Sequence, residues 1–587
     1  MTRFLAILAV FLGAGISAHA FVTASSASGL PTRWNLVTPT ATHPNVVNPK
    51  TKAVRYFIGG NTYSSANRNA EIQAIRNSFL QWQAVPGAIL KFEEGGVLNA
   101  PLDVNTSDNT NVVYWANTST LVNNGRDDIS GFSGITYSDI FSDNSLAEAD
   151  IVLNGRDFQW FTDYNNPPAS LSWFVESVAV HEIGHAIGLD HTPLGGATMY
   201  IRSSPGIDTH AELSSDEIAA VRFIYGDPAL AKTLARLSGQ ITMSSTSIMG
   251  AAVILEDAAG TAVSGTVTDS KGKYDFPGIA PGNYSMRVVP LDPITLPSSS
   301  RLTTGRDIEA RFITNTVTSF LPTTNQAVSI TAGKTTTANR VVTPGNPPFR
   351  ISRIRTPTEN SELLVVVNSA CWLLQGQKDV FVGVYSPNLP TSDATLTITG
   401  DGLTIGPTLI RPDAFVGLNL ISVQISVATT ATPGLRSLIV RRGDDVGYVN
   451  GFLEVQPAFP DINFDGLDDR FQRRYFSTPF NPAASPALDN DNDGFNNLAE
   501  YLAGSSPVDA TSVLRLDGVR WEGGGAVVNW RGSSGRRYQL YSKPDAQNSG
   551  AWLKVGNPVT ATSNVVEFPD LDSATQSTRL YRLEAVP

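Results

Sequence analysis

Between residues 34 and 228 the apolar positions switch between two periods. Val54 to Ile58 is a strand-like run. Glu71, Ile72, Ile75, Phe79 and Trp82 follow at a spacing near 3.6, which predicts an amphipathic helix packed on a sheet. Val112 to Ala116 and Ala149 to Leu153 read as further strands. A second helix is predicted from about Ser172 to Ile187. A third opens at Ser214 or Ser215, with Asp216 and Glu217 in its first turn, where acids suit the positive end of the helix dipole. This part is α+β. After residue 236 the pattern changes to short alternating runs rich in Thr, Ser, Val and Gly, with turn signals every eight to twelve residues or about that, as in β-sandwiches. Three such modules are expected, at 236–345, 346–457 and 511–587, with a Pro-rich joint at Thr343-Pro344-Gly345-Asn346-Pro347-Pro348 and an Asp/Asn-rich block at 458–510.

The length of 587 residues agrees with several domains, at roughly 100–200 residues each. Charged residues make up 16% of the chain, against about 25% in an average soluble domain, and Gly (49) and Pro (36) are frequent, which excludes coiled coils and long helical arrays. With 41% hydrophobic residues the chain can still bury real cores. The net charge is −11 and no run of Lys and Arg stands out, so the footprint of nucleic-acid binding is missing. Cys371 is the one cysteine, so no intramolecular disulfide forms. At the N-terminus, Arg3, an apolar run from Phe4 to Ile16 and Ala18-His19-Ala20 make a signal-peptide pattern over residues 1–20, cleaved after Ala20. Residues 21–33 are then a short pro or linker segment, and no later stretch is long and apolar enough for a membrane anchor. A secreted, extracellular protein is expected.

His181-Glu182-Ile183-Gly184-His185-Ala186-Ile187-Gly188-Leu189-Asp190-His191 carries the most chemical information. Two histidines four apart share one helix face and can reach one metal, and Glu182 beside the first lies within reach of a water at that metal. Gly188, without a Cβ, can leave the helix in a left-handed conformation and return His191 beneath the other two. Three neutral nitrogens with an open fourth position describe a catalytic rather than a closed structural zinc site.

The segment resembles the metzincin zinc proteases, whose pattern is HExxHxxGxxH followed by a Met-containing turn. The resemblance makes Met199, in Ala197-Thr198-Met199-Tyr200, the apolar floor beneath the histidines. Among metzincins it is most similar to matrixins, through Arg33-Trp34, the run from Ala53, the Phe79 to Trp82 helix, Ala149-Asp150-Ile151, Leu213-Ser214-Ser215-Asp216 and Ile224-Tyr225-Gly226. It implies a matrixin-like zinc protease domain at 34–228 with one catalytic zinc, hydrolysing protein or peptide substrates with Glu182 as general base and acid. An extended substrate would add along the edge near Ala149 to Leu153, with a side chain in a pocket walled by residues just after Met199. The sequence departs from matrixins in having no cysteine before Cys371, so no cysteine switch is expected, and too few other histidines for a second, structural zinc. Thr192 follows the third ligand where matrixins usually have Ser, and Tyr200 comes one residue too early for the fifth ligand of astacins.

Asp489-Asn490-Asp491-Asn492-Asp493-Gly494-Phe495-Asn496-Asn497-Leu498-Ala499-Glu500 satisfies the EF-hand loop pattern. Asp489, Asp491, Asp493 and Glu500 offer carboxylates, Phe495 its carbonyl, and Gly494 the turn. An upstream loop with Asp461, Asn463 and Asp465 begins the same way but reaches Gln472 at the last ligand position, so calcium should bind there more weakly or not at all. The pair resembles dockerin-like or thrombospondin-type-3-like calcium segments, and a calcium-stiffened spacer is expected. Leu237 to Tyr284 resembles the carboxypeptidase-regulatory-like sandwich, 346–457 looks Ig-like, and the aromatics Trp530, Tyr538, Tyr541, Trp552 and Tyr581 of the last module suit core packing better than a glycan platform. The expected molecule is therefore multidomain, a metzincin-like α+β catalytic domain followed by β-sandwich modules and a short calcium segment. It is read as a secreted zinc endopeptidase whose β-modules take a polymer or cell-surface ligand. The alternative is an adhesin-like protein whose protease domain processes a partner or the chain itself.

Overall fold

The computed structural model describes residues 4–7, 31–37, 46–99, 101–168, 171–201, 205–206, 211–291, 317–351, 353–355, 366–367, 370–415, 417–544, 551–575 and 578–586. The expected cleavage site Ala18-His19-Ala20 lies outside them, as do most of 21–33 and residues 202–204 and 207–208 of the expected pocket wall. The helices and strands predicted for the first third form around a six-stranded sheet. Its strands are Phe4–Ile7 (β1), Val54–Gly59 (β2), Phe92–Leu98 (β3), Val112–Trp115 (β4), Gly134–Ile140 (β5) and Leu146–Leu153 (β6), in the order β1-β5-β6-β4-β2-β3. β3, β2, β4 and β6 are parallel, whereas β5 is antiparallel to both β6 and β1. Every residue of β6 is buried, because both faces of the sheet are covered. Ala149, Ile151 and Leu153 face the helices, while Val152 joins Val112, Tyr114 and Tyr137 under the loops that carry Val104, Val122 and Ile129.

The helix Arg68–Gln83 (α1) buries Ile72, Ile75, Phe79 and Trp82, the positions its period selects. Phe79 stacks on Tyr56 of β2 at 3.7 Å, and Trp82 donates from Nε1 to the Val180 carbonyl of the helix Val175–Ala186 (α2) at 2.9 Å. α2 starts later than the sequence suggests because Ser172–Phe174 is extended and pairs in parallel with Gln159–Phe161. Ser215–Tyr225 (α3) opens with a capping box between Ser214 and Glu217. Two strands have no clear sequence signal. β3 contains Glu93, Glu94, Gly95 and Gly96, which break any apolar alternation. β5 reads Gly-Ile-Thr-Tyr-Ser-Asp-Ile, with polar side chains at buried positions. β5 also corrects the expected substrate edge: Ile151 to Leu153 pair with β4 and Ala149 to Leu153 with β5, so this segment is internal, and β5 is in turn paired with the outermost strand β1.

The chain forms two compact units, Met1–Ala458 and Phe459–Pro587. Within the first, strands Ala251–Asp257 (β7), Ala262–Val267 (β8) and Gly282–Pro290 (β9) share one eight-stranded sheet with Cys371–Leu374 (β10), Gly434–Arg442 (β11) and Asp445–Gln456 (β12). The sheet thus runs across the joint expected near residue 345, through the pair Ala262 and Leu435. Arg287 is 1% exposed, ion-paired to Glu256 at 2.7 Å and hydrogen-bonded to Ser437 and Asn450. A buried guanidinium needs all of these partners, so the network ties 236–345 to 346–457. In the second unit, helices Asp469–Phe476 (α4) and Asn497–Ala503 (α5) precede two three-stranded sheets that enclose Trp530 and Tyr538. These two aromatics are core, whereas Tyr541 and Trp552 are partly exposed beneath Arg582. Among the described residues no helix is long and apolar enough to cross a membrane.

Candidate metal centre

α2 carries His181 and His185 on one face, one turn apart. The helix ends at Ile187, and Gly188 takes φ +99°, with Leu189 N–H bonded back to the Gly184 carbonyl. A Cβ on Gly188 would lie 2.0 Å from the Thr32 carbonyl oxygen, so both the left-handed φ and the close approach require glycine. This reversal brings His191 back. The three rings stand with centroids 4.8, 4.8 and 5.3 Å apart, and one nitrogen from each lies within 4.8 Å of the others.

The ring orientations are fixed from behind. His181 Nδ1 is 2.7 Å from the Thr198 carbonyl and His185 Nδ1 2.9 Å from the Leu189 carbonyl. A carbonyl only accepts, so each Nδ1 carries the proton and each Nε2 keeps its lone pair for a metal. Burial, with the neighbouring His185 and His181, holds His191 well below its usual pKa, in the neutral form a metal ligand needs. Three neutral, convergent imidazoles fit zinc.

Met199 is 2% exposed and packs against Gly184, between the two helix histidines in sequence. A Cβ on Gly184 would fall 2.2 Å from its sulfur, so the glycine inside the motif is what admits the methionine. The Met199 backbone is held by Glu217, which accepts from Met199 N at 2.9 Å and from Ser214 N and Oγ, and by Thr192, whose N–H donates to the Met199 carbonyl. The far end of α2 is capped by the landmark residues: Trp34 Nε1 donates to the Ala186 carbonyl at 2.8 Å and the Tyr225 hydroxyl to the Ile187 carbonyl at 2.7 Å. Glu182, buried beside His181, accepts a 2.7 Å hydrogen bond at Oε2 from the Thr136 hydroxyl of β5. Burial pushes its carboxyl above the ordinary range, opposed by His185 and by Thr136.

Sequence reasoning does not find Thr136, which is 46 residues away on a strand without a clear pattern. It also misses what covers the segment between His191 and Met199. Gly195 and Gly196 donate their N–H groups to the carbonyls of Asn450 and Gly451. Leu194 is buried with Ala252, Ile254 and Leu435. Tyr200 is fully buried edge-on to Phe452 at 5.3 Å, its place in the β-module core. Asp216 accepts from Ser264 Oγ at 2.6 Å and Gly265 N at 3.1 Å.

In the second unit, oxygens of Asp489, Asp491 and Asp493 lie within 4.8 Å of one another, and Gly494 turns at φ +96°. Glu500, on α5, is 0% exposed, and its Oε2, like Oδ2 of Asp491 and of Asp493, has no hydrogen-bond partner. Burial first, then Asp491, Asp493 and Asp489, push its carboxyl up to about 7. The upstream loop differs. The Gln472 amide donates to Asp465 Oδ2 at 2.8 Å and that of Asn463 to the same oxygen at 3.0 Å, while Asp461 accepts from Asp465 N and Gly466 N. The carboxylates of Asp461 and Asp465 are thus met by the chain's own donors, while Gln472 Oε1 has no hydrogen-bond partner.

Residues 48–226 match the family model for matrixin and residues 236–292 that for the carboxypeptidase regulatory-like domain. Metalloendoproteinase 4-MMP of Arabidopsis thaliana is 37% identical over 67 residues, 11% of this chain and 19% of that protein. Metalloendoproteinase 1 of Glycine max is 41% identical over 64 residues, 11% of this chain and 21% of that protein. The chain thus spans about a fifth of the length of these relatives. Among solved structures, the minor pilin GBS52 of Streptococcus agalactiae aligns with 21% of this chain and 49% of its own, at 16% identity and a TM-score of 0.13, too low to bear on the fold. With the family matches and the histidine geometry together, this chain carries a matrixin-like metalloprotease domain followed by a carboxypeptidase regulatory-like domain.

Proposed function

We propose that the protein is a secreted zinc-dependent endopeptidase. The observation that carries the reading is the convergence of His181, His185 and His191, with both bonded Nδ1 atoms turned away from the centre and Glu182 alongside. When bound, zinc supplies a Lewis acid that acidifies water and polarises a carbonyl. On this reading Glu182 accepts a proton from the attacking water and passes it to the leaving amine. Gly134–Ile140 offers the margin of the sheet to an extended peptide, which would add as an antiparallel strand where Phe4–Ile7 lies; removal of residues 1–20 on export would leave that margin free. The test is hydrolysis of a broad peptide library by protein lacking residues 1–20, with and without a zinc chelator. Chelator-sensitive cleavage is expected, and a folded chain holding one zinc that cleaves nothing would refute the reading.

We further propose calcium at Asp489, Asp491, Asp493, the Phe495 carbonyl and Glu500. A buried carboxylate beside three others is costly without a cation, and the unpartnered oxygens of Asp491, Asp493 and Glu500 support the reading that these residues would hold one. The Asp461, Asn463 and Asp465 loop, already closed by Gln472, is the weaker of the two. Calorimetry of the full chain should show one calcium transition, with calcium at a hundredfold over Kd stabilising the second unit by about 2.7 kcal/mol. Glu500→Gln should remove it, and an equal stabilisation in that variant would count against the site.

A further inference from the structure

The base of the proposed reaction is gripped by two residues of β5. Thr136 is 4% exposed, and its hydroxyl lies 2.7 Å from Glu182 Oε2 and 2.9 Å from the Glu182 main-chain carbonyl. Two positions earlier on the same face, a Cβ on Gly134 would stand 2.8 Å from both Cγ and Oε1 of Glu182. The carboxylate side chain therefore lies against bare backbone at residue 134 and under a hydroxyl at residue 136. A hydroxyl has one proton to give. Against an ionised carboxylate the charge-assisted bond to Oε2 is the stronger choice. That bond distinguishes the two carboxylate oxygens: Oε2 accepts from the Thr136 hydroxyl, while Oε1 lies over Gly134.

We propose that Thr136 is a positioning residue that sets the orientation of the Glu182 carboxylate, with Gly134 providing the space in which it lies. The inference rests on the reading of Glu182 as base. Once Glu182 holds a proton, the Thr136 hydroxyl can turn its own proton to the Glu182 carbonyl. The hydroxyl then has a partner at each stage, and no buried donor is stranded while the proton is held.

The test compares Thr136→Val, which keeps the shape and removes the donor, with Thr136→Ser, which keeps the donor, in protein lacking residues 1–20. Thr136→Val is expected to lower kcat by about 10- to 100-fold with KM changed by less than about twofold and with one zinc per chain, while Thr136→Ser stays within about threefold of wild type. A wild-type kcat in Thr136→Val, or equal losses in the two variants, would overturn the proposal. A second readout needs neither zinc nor turnover. In metal-free protein Thr136→Val should lower the thermal midpoint by roughly 2–4 °C, and by less than half as much when Glu182→Ala is also present. Equal shifts in the two backgrounds would show that hydroxyl and carboxylate do not interact. If wild-type protein cleaves nothing, the endopeptidase reading fails on its own, while the thermal cycle still decides the contact.

Discussion

Replacing Glu182 by alanine is expected to lower kcat by about 10²- to 10⁴-fold while zinc stays at one ion per chain. The two effects are expected to separate because the nitrogens proposed to hold the metal are those of His181, His185 and His191, whose orientations are set by the Thr198 and Leu189 carbonyls and by the turn at Gly188. None of these depends on the Glu182 side chain. The space left behind borders Thr136, whose hydroxyl still has the Glu182 main-chain oxygen to bond, so no buried donor is orphaned. His185→Ala should behave oppositely, losing metal together with activity, since it removes one of three convergent nitrogens. Peptide hydrolysis and metal analysis on the same preparations check both. Substantial cleavage by the alanine variant at position 182 would remove Glu182 from the chemistry.

A chain ending at Ala231 is expected to lose its folded, zinc-binding state, whereas one ending at Ala458 should keep it. The first truncation strips the covering from Leu194, Ala197 and Tyr200, each 0% exposed in the intact chain. It also removes the carbonyls of Asn450 and Gly451 that receive the Gly195 and Gly196 N–H groups, and the Ser264 and Gly265 donors that serve buried Asp216. All of these lie in or next to the segment that joins His191 to Met199. A milder probe is Phe452→Ala, which opens a cavity beside the Tyr200 ring and should cost about 3–5 kcal/mol, seen as a lowered thermal midpoint. Full activity and unchanged stability in the chain ending at Ala231 would show that the catalytic domain stands alone. The expected result argues against a tail trimmed from an autonomous protease at that point.

The convergence of the three histidines is legible because its information is local. His181, Glu182 and His185 lie within one helical turn or so of each other, and Gly188 announces the reversal. The helices α1 and α3 were legible for the same reason, through a 3.6 period at Ile72, Ile75, Phe79 and Trp82 and a cap at Ser214. What escaped depends on contacts distant in sequence. β5 carries Thr136, Ser138 and Asp139 in buried positions, and its polar side chains hide the strand that holds Glu182. The sequence excludes Tyr200 as a fifth ligand but gives its ring no place, because Phe452, which packs on it, lies far along the chain. The boundary near residue 345 was read from proline and glycine, which mark local turns and say nothing about the sheet pairing Ala262 with Leu435 on either side of it.

Cys371 sits in that shared sheet, on β10 beside Leu453 of β12, and its sulfur lies 3.7 Å from the carbonyl of Phe452. It is fully buried, and burial pushes its thiol up to about 12, which leaves almost no thiolate at neutral pH. The same strand that presses Phe452 onto Tyr200 therefore shields the molecule's one thiol. A thiol reagent reaches it only when this part of the sandwich opens, so the rate of its labelling is an intrinsic clock for loosening of the strand that covers the segment from His191 to Tyr200, with no probe to be introduced.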